Sequence, residues 1–222
     1  MLRIHTRPVA LRAAGRLLFC GAASVVALAK PAVTAPAARQ SDRLEISCGS
    51  ISSRTTPADL RQKYGADNVV DASPVDDGIP GTVLYPSAPD RRIEISWADR
   101  ARTRMAEFMA ADRKSAWRTP QGIKAGQAIA DVTDLNGRAF IFRGFNQPDG
   151  GFVVDWAGGT LAEADQGNCH VAVRLSPPVD VTFTTVEWRL AEVVSDAVEI
   201  SSDDRRIKPY KAAVSALGLV WK

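Results

Sequence analysis

Shifted against itself by 72 positions without a gap, this chain lays a segment beginning at Ile51 on another beginning at Ile123. Asp59 then meets Asp131, Leu60 meets Val132, Gly65 meets Gly137, Val69 meets Ile141, and Asp77-Gly78 meets Asp149-Gly150. Two copies of one supersecondary unit explain this economically. Such a duplication constrains architecture strongly and carries no chemistry by itself.

The first residues have the layout of a secretory leader. Arg3, Arg7, Arg12 and Arg16 form a basic start without acids, and residues 17–29 form an apolar stretch of thirteen. A membrane-spanning helix needs roughly 20 apolar residues. Small-residue sites at Ala27-Leu28-Ala29 and Ala35-Pro36-Ala37 place cleavage between residues 29 and 38. Residues 1–37 are therefore read as signal peptide and short linker, and 38–222 as one domain without stable membrane insertion after cleavage. Phe19 precedes Cys20 where a lipid-modified cysteine normally has a small neighbour.

The leader also carries the apparent basicity. Of 28 basic residues against 25 acidic ones, its four arginines account for the excess, leaving 24 against 25. A near-neutral chain has no electrostatic footprint for nucleic acid. Two cysteines remain, Cys48 and Cys169. In an oxidising periplasmic or extracellular setting an even pair reads as a disulfide.

Along the domain, residues 44–48 read as an opening strand. Thr56-Pro57-Ala58-Asp59 supplies an N-cap, a first-turn proline and a first-turn acid, and Gly65 supplies a stop. Strands follow over 68–72, 82–85 and 91–97, with a turn at Asp76-Asp77-Gly78. In the last strand Ile93, Ile95 and Trp97 alternate with Arg92, Glu94 and Ser96. Residues 103–111 fit either a short helix or a strand, and the surroundings lean to strand. A second helix over 127–135 ends at Asn136-Gly137, followed by strands over 139–144, 152–157 and 169–175. Residues 193–200 and 217–221 read as two more strands, the last inside the sheet with Trp221 as an anchor. The expected fold class is α+β: two tandem repeats, about 44–100 and 118–175, and C-terminal strands within 188–222. The repeats would share a mainly antiparallel sheet with short helices on one face.

The pattern Gly122-Ile123-Lys124-Ala125-Gly126, followed by a short helix and Asn136-Gly137, resembles the opening of small envelope α/β units. The tandem arrangement resembles the secreted beta-lactamase inhibitor proteins, and a single unit is similar to the small lipoprotein of the outer-membrane barrel-assembly machinery. The resemblance implies a noncatalytic protein-binding role. The chain departs from the first in having one cysteine pair that spans both copies, and from the second in lacking a lipobox. Asn136-Gly137, Phe142-Arg143-Gly144-Phe145 and Asp155-Trp156-Ala157-Gly158-Gly159 are similar to a series in exported bacterial proteins, a kinship that implies no activity.

Little in the chain points to catalysis. His170 is the only histidine after the leader, which argues against a histidine metal site, and no nucleophile elbow, phosphate loop, Cys-x-x-Cys or calcium loop occurs. Strand alternation sends Cys169 and His170 to opposite faces. No catalytic residue, metal or cofactor is assigned. The same alternation predicts one polar sheet face carrying Arg92, Glu94, Arg143, Asp155, His170 and Arg174, with Trp117 in nearby loop-like sequence. Trp97 and Trp156 fall in phase with the core. The function expected is a noncatalytic envelope binding module, inhibitory ones included, that meets an envelope protein or polar envelope ligand on this face. The alternatives are a hydrolase of envelope polymers using Asp155 and Glu94, and an assembly or structural factor contacting partners through an edge strand.

Overall fold

A computed structural model describes residues 44–74, 78–178, 192 and 194–222. The expected leader and cleavage site, the expected Asp76-Asp77 turn and Val193 lie outside the described residues. Among the described residues no helix is long and apolar enough to cross a membrane.

The first helix, α1 (Pro57–Tyr64), begins at a reciprocal cap. The Asp59 amide donates to the Thr56 hydroxyl at 3.3 Å, while the Thr56 hydroxyl and amide donate to the Asp59 carboxylate at 2.7 and 2.8 Å. Those bonds, the hydroxyl's first and the amide's second, hold the Asp59 carboxyl below its ordinary range. Leu60 is the residue this short helix buries, so packing of one side chain and the cap fix it. Gly65 stops it at φ 92°, and 3-10 residues Ala66–Asn68 lead into β1.

Strands β1 (Val69–Pro74), β2 (Pro80–Leu84), β3 (Ile93–Trp97) and β4 (Met105–Ala110) form an antiparallel meander. Residues 105–110 are strand, and the reason they also fit a helix is visible. The register of β4 slips between Ser96 and Trp97, so that Met105 pairs with Trp97 while Phe108 pairs with Ile95. A bulge thus turns two residues three apart toward the core, imitating helical spacing.

After α2 (Ile129–Asn136) come β5 (Ile141–Arg143), β6 (Val153–Asp155), β7 (Cys169–Ser176), β8 (Glu199–Ser201) and β9 (Ala213–Trp221). The large sheet has the order β1-β2-β3-β4-β9-β7, and a second sheet has the order β6-β5-β8. Every pairing between named strands is antiparallel. The molecule is an α+β fold with a few short helices. Its last strand is interior, bonded to β4 on one side and β7 on the other.

Helices α1 and α2 occupy positions offset by 72, as do the first residues of β1 and β5. Beyond that the two segments diverge. β1 and β2 sit at one end of the large sheet, whereas β5 and β6 belong to the small one, with β5 in its centre. The expectation that both segments share a sheet is corrected: β5 is bonded on both sides within its own sheet, to β6 and to β8. Two local assignments change as well. Residues 44–48 form one isolated bridge from Glu45 to Arg118, with Cys48 in a turn. Within 193–200, residues 194–196 are helical and β8 begins only at Glu199.

One core joins the inward face of the large sheet to both helices and the small sheet. Phe140 meets Trp156 at 5.2 Å between ring centroids, and Phe145 lies between Phe142 and Tyr210 at 5.6 and 5.1 Å. Trp97, 3 % exposed, donates its indole N–H to Thr82 at 3.0 Å. Cys48 and Cys169 form a disulfide, their Cα atoms 5.8 Å apart across a separation of 121 residues.

Candidate ligand-binding face

Strand parity and register build the outer face of the large sheet. On β3 the side chains of Ile93, Ile95 and Trp97 are buried and those of Glu94 and Ser96 exposed. Glu94 lies opposite Val83 on one side and Met109 on the other, and Ser96 lies opposite Glu107. Across β9, Glu107 pairs with Val220 and Met109 with Gly218. Across β7, Val220 pairs with His170, Gly218 with Ala172 and Ala216 with Arg174. Directly paired residues share a face. Three strands, β3, β4 and β7, therefore contribute Glu94, Glu107, His170 and Arg174 to one surface, and Arg92 joins them by alternation with Glu94.

Part of this surface is a hollow of about 640 Å³ that includes Arg92, Glu94, Glu107 and Arg174 in its wall. Its floor holds residues of little bulk, among them Gly81, Val83 and Ala216. Gly218 explains how Met109 fits there: a Cβ at position 218 would run into the Met109 sulfur and the Phe108 carbonyl. Arg92 and Glu94 form an ion pair at 3.1 Å with both side chains more than a third exposed. Such a pair contributes little stability and remains free to exchange partners.

Arg174 closes one end. Its Nε donates to the Gly150 carbonyl at 2.9 Å, and its guanidinium lies 5.5 Å from the Phe152 ring centroid. The β5–β6 turn is thereby docked on β7, where Leu175 N donates to the Gly151 carbonyl at 2.8 Å. Gly151 has φ 82°, and a Cβ there would strike the Leu175 carbonyl, so this approach requires glycine. Phe152 enters the hollow wall as a consequence.

His170 points away from Cys169, its Nδ1 3.0 Å from an Asp165 carboxylate oxygen. The other oxygen accepts from Val171 N at 2.8 Å. Asp165 therefore fixes the ring's orientation. It stands in a loop five residues upstream, where periodicity gives no signal.

Three residues expected on this face are elsewhere. Arg143 and Asp155 lie on β5 and β6 of the small sheet; Arg143 faces Glu199 across the ladder, and Asp155 accepts from its neighbour Ala157 N at 2.7 Å. The small sheet is a separate pairing unit, which alternation within single strands does not reveal. Trp117 is 3 % exposed and donates its indole N–H to the Arg91 carbonyl at 2.8 Å, edge-on to Phe108. It is a core side chain: alternate residues Ser115, Trp117 and Thr119 are buried together, while Lys114 and Arg118 are exposed. Conversely Glu107 and Met109 were hidden by the β4 bulge, and Phe152 by the tertiary docking of its turn.

The motif series around Asn136 also has a structural account. The Asn136 side chain, 1 % exposed, donates to the Arg138 and Trp156 carbonyls at 3.0 and 2.9 Å and accepts from Leu161 N at 3.2 Å. A Cβ on Gly159 would collide with that same amide. Gly144 is likewise forced by the Ala197 and Ser195 carbonyls. The series holds α2 and the small sheet together.

Asp155 and Glu94, the pair considered for hydrolysis, belong to different sheets. Among the described residues no group of three or more His, Cys, Asp or Glu is placed to hold a metal ion. No family model, no curated protein and no solved structure matches this chain.

Proposed function

We propose that this chain is an exported, oxidised binding module of the bacterial envelope that engages an envelope protein or polar envelope ligand on the outer face of its large sheet. The single observation carrying this reading is the hollow that brings Arg92, Glu94, Glu107 and Arg174 around a floor of small and apolar residues. Alternating charge beside accessible apolar surface favours recognition of a complementary partner over general adhesion. The Cys48–Cys169 disulfide supports an oxidising destination and hence the leader reading of residues 1–37. On this account the equal spacing of the two helix–strand segments reflects a duplication whose copies later took different sheet partners.

The edge-strand reading has less support. β1, at the end of the large sheet, carries Asp71 held by Arg61 and Arg102 at 3.4 and 2.6 Å, a register shift and a terminal proline. These are devices that discourage strand addition. A hydrolytic reading keeps one specific support, since Glu94 and Glu107 are diagonal neighbours on β3 and β4. Diagonal positions lie roughly 7–8 Å apart, the scale on which two carboxylates can flank a scissile bond. Release of reducing ends from envelope polymer by the parent chain, lost in Glu94→Gln and Glu107→Gln, would select that reading.

The test of the binding reading is capture from envelope extract with the full oxidised chain, beside two double variants. One protein should be retained by the parent and by Arg143→Ala/Asp155→Ala, and released by Glu94→Arg/Glu107→Arg. Retention by all three, or by none, would contradict the placement.

A further inference from the structure

The inward side of the large sheet ends, at Cys169 on β7 and its register partner Trp221 on β9, in a second open cavity of about 590 Å³. It does not share its lining with the outer hollow. Residues 48–55, α1 and the loop before β7 complete its walls, and the disulfide crosses one of them.

Its lining is largely polar and solvent-exposed, with Ile51 and Cys169 buried. Ser50, Ser52, Ser53 and Thr55 contribute hydroxyls, and Gln166 and Asn168 contribute amides. The cation and the carboxylate of the lining oppose each other in sign, and the protein already engages both. Lys63 Nζ donates to the Ser50 carbonyl at 2.8 Å, and Asp59 is held by the Thr56 cap. The cavity therefore offers no uncompensated charge to an ion.

What it does offer is hydrogen bonding beside an aromatic ring. Trp221 is partly buried against the core and lines the cavity. Among the described residues, no protein group bonds the Trp221 indole N–H, the Gln166 side-chain amide or the Ser53 hydroxyl, and none of the three is buried, so each is open to solvent. Asn168 Nδ2 makes only a long contact of 3.4 Å to the Lys222 carbonyl. Amides and hydroxyls each present both donors and acceptors, which suits a ligand whose groups do the same. An indole adds an apolar surface with a polar handle.

We propose that this cavity binds a neutral saccharide unit, with Gln166, Asn168 and Ser53 bonding its hydroxyls and Trp221 contacting its C–H surface. Its size lies within the roughly 300–1,000 Å³ usual for small-ligand sites. Inorganic anions are disfavoured by the balanced lining, and apolar ligands by the hydroxyl-rich wall.

The experiment follows the indole N–H resonances of the full oxidised chain during titration with tri-N-acetylchitotriose, maltotriose and, separately, inorganic phosphate. Trp221→Phe assigns the Trp221 signal. At least one trisaccharide should move that signal saturably, phosphate should leave it in place, and Gln166→Ala/Asn168→Ala should weaken binding about tenfold at unchanged melting temperature. No saturable movement up to about 10 mM of either trisaccharide, undiminished affinity in the double variant, or movement by phosphate alone would overturn the proposal.

Discussion

Asn136 does several jobs with one side chain: its amide nitrogen serves two carbonyls and its oxygen one amide, all at a buried site. Replacement by alanine leaves those groups without partners, and each orphaned group costs on the order of 1–3 kcal/mol. Asn136→Ala should therefore lose about 2–4 kcal/mol in urea unfolding, whereas Asp134→Ala, on the same helix and exposed, should stay near the parent. Tyr64 sets the alkaline limit. Burial first, and the neighbouring Tyr85 second, push its phenol up to about 12. The unfolded chain ionises near 10, so it releases its proton first and gains the advantage as pH rises. Tyr64 contributes in full below about 10, and its contribution disappears between about 10 and 12, a loss of no more than about 3 kcal/mol. Tyr64→Phe should flatten that decline when unfolding is measured across this range. At this scale the sequence was informative where pattern is local. The Thr56 cap and the inward Trp97 and Trp156 could be read, but Trp117 could not, because its partner Arg91 is 26 residues away.

At the scale of elements, β9 matters most. It is bonded to both β4 and β7, with Val171, Val173 and Leu175 packed beside its own Leu217 and Leu219 in the core. Removing residues 217–222 deletes the β4 pairing from Leu217 to Val220 and exposes two cut edges. The truncated chain should fail to give a cooperative unfolding transition by circular dichroism. Gly218 permits that central position by admitting Met109, so Gly218→Val should lower stability by about 1–3 kcal/mol through overpacking. Most strands and helices α1 and α2 were legible from alternation, caps and turn residues, whereas the helical residues 194–196 were not. What escaped was pairing. A strand's own pattern states which side is apolar but not which strand lies beside it, and here β4 and β9 meet across more than a hundred residues. The same gap placed Arg143 and Asp155 on the wrong sheet, and the β4 bulge concealed Glu107.

For the whole molecule, the disulfide ties the loop before α1 to β7, the end strand of the large sheet. Constraining a loop of this length is worth about 4–5 kcal/mol in the chain-entropy account. Domains of ordinary size are stable by roughly 5–15 kcal/mol, so the loss would be a large share of the total. Cys48→Ser/Cys169→Ser, or reduction of the parent, should lower the urea midpoint markedly while preserving strand content, and an unchanged midpoint would show the bond to be incidental. The cysteine pairing was legible because only two cysteines follow residue 38, and their approach could not have been inferred from spacing. The outer hollow is a product of the whole sheet, since its charges come from β3, β4 and β7 and its floor from β2 and β9. The most direct measurement of its role is carboxylate labelling, read residue by residue, of the oxidised chain alone and with the captured envelope partner. The account predicts that labelling of Glu94 and Glu107 falls while that of Asp155 is unchanged. Protection of Asp155 with Glu94 and Glu107 still reactive would contradict it.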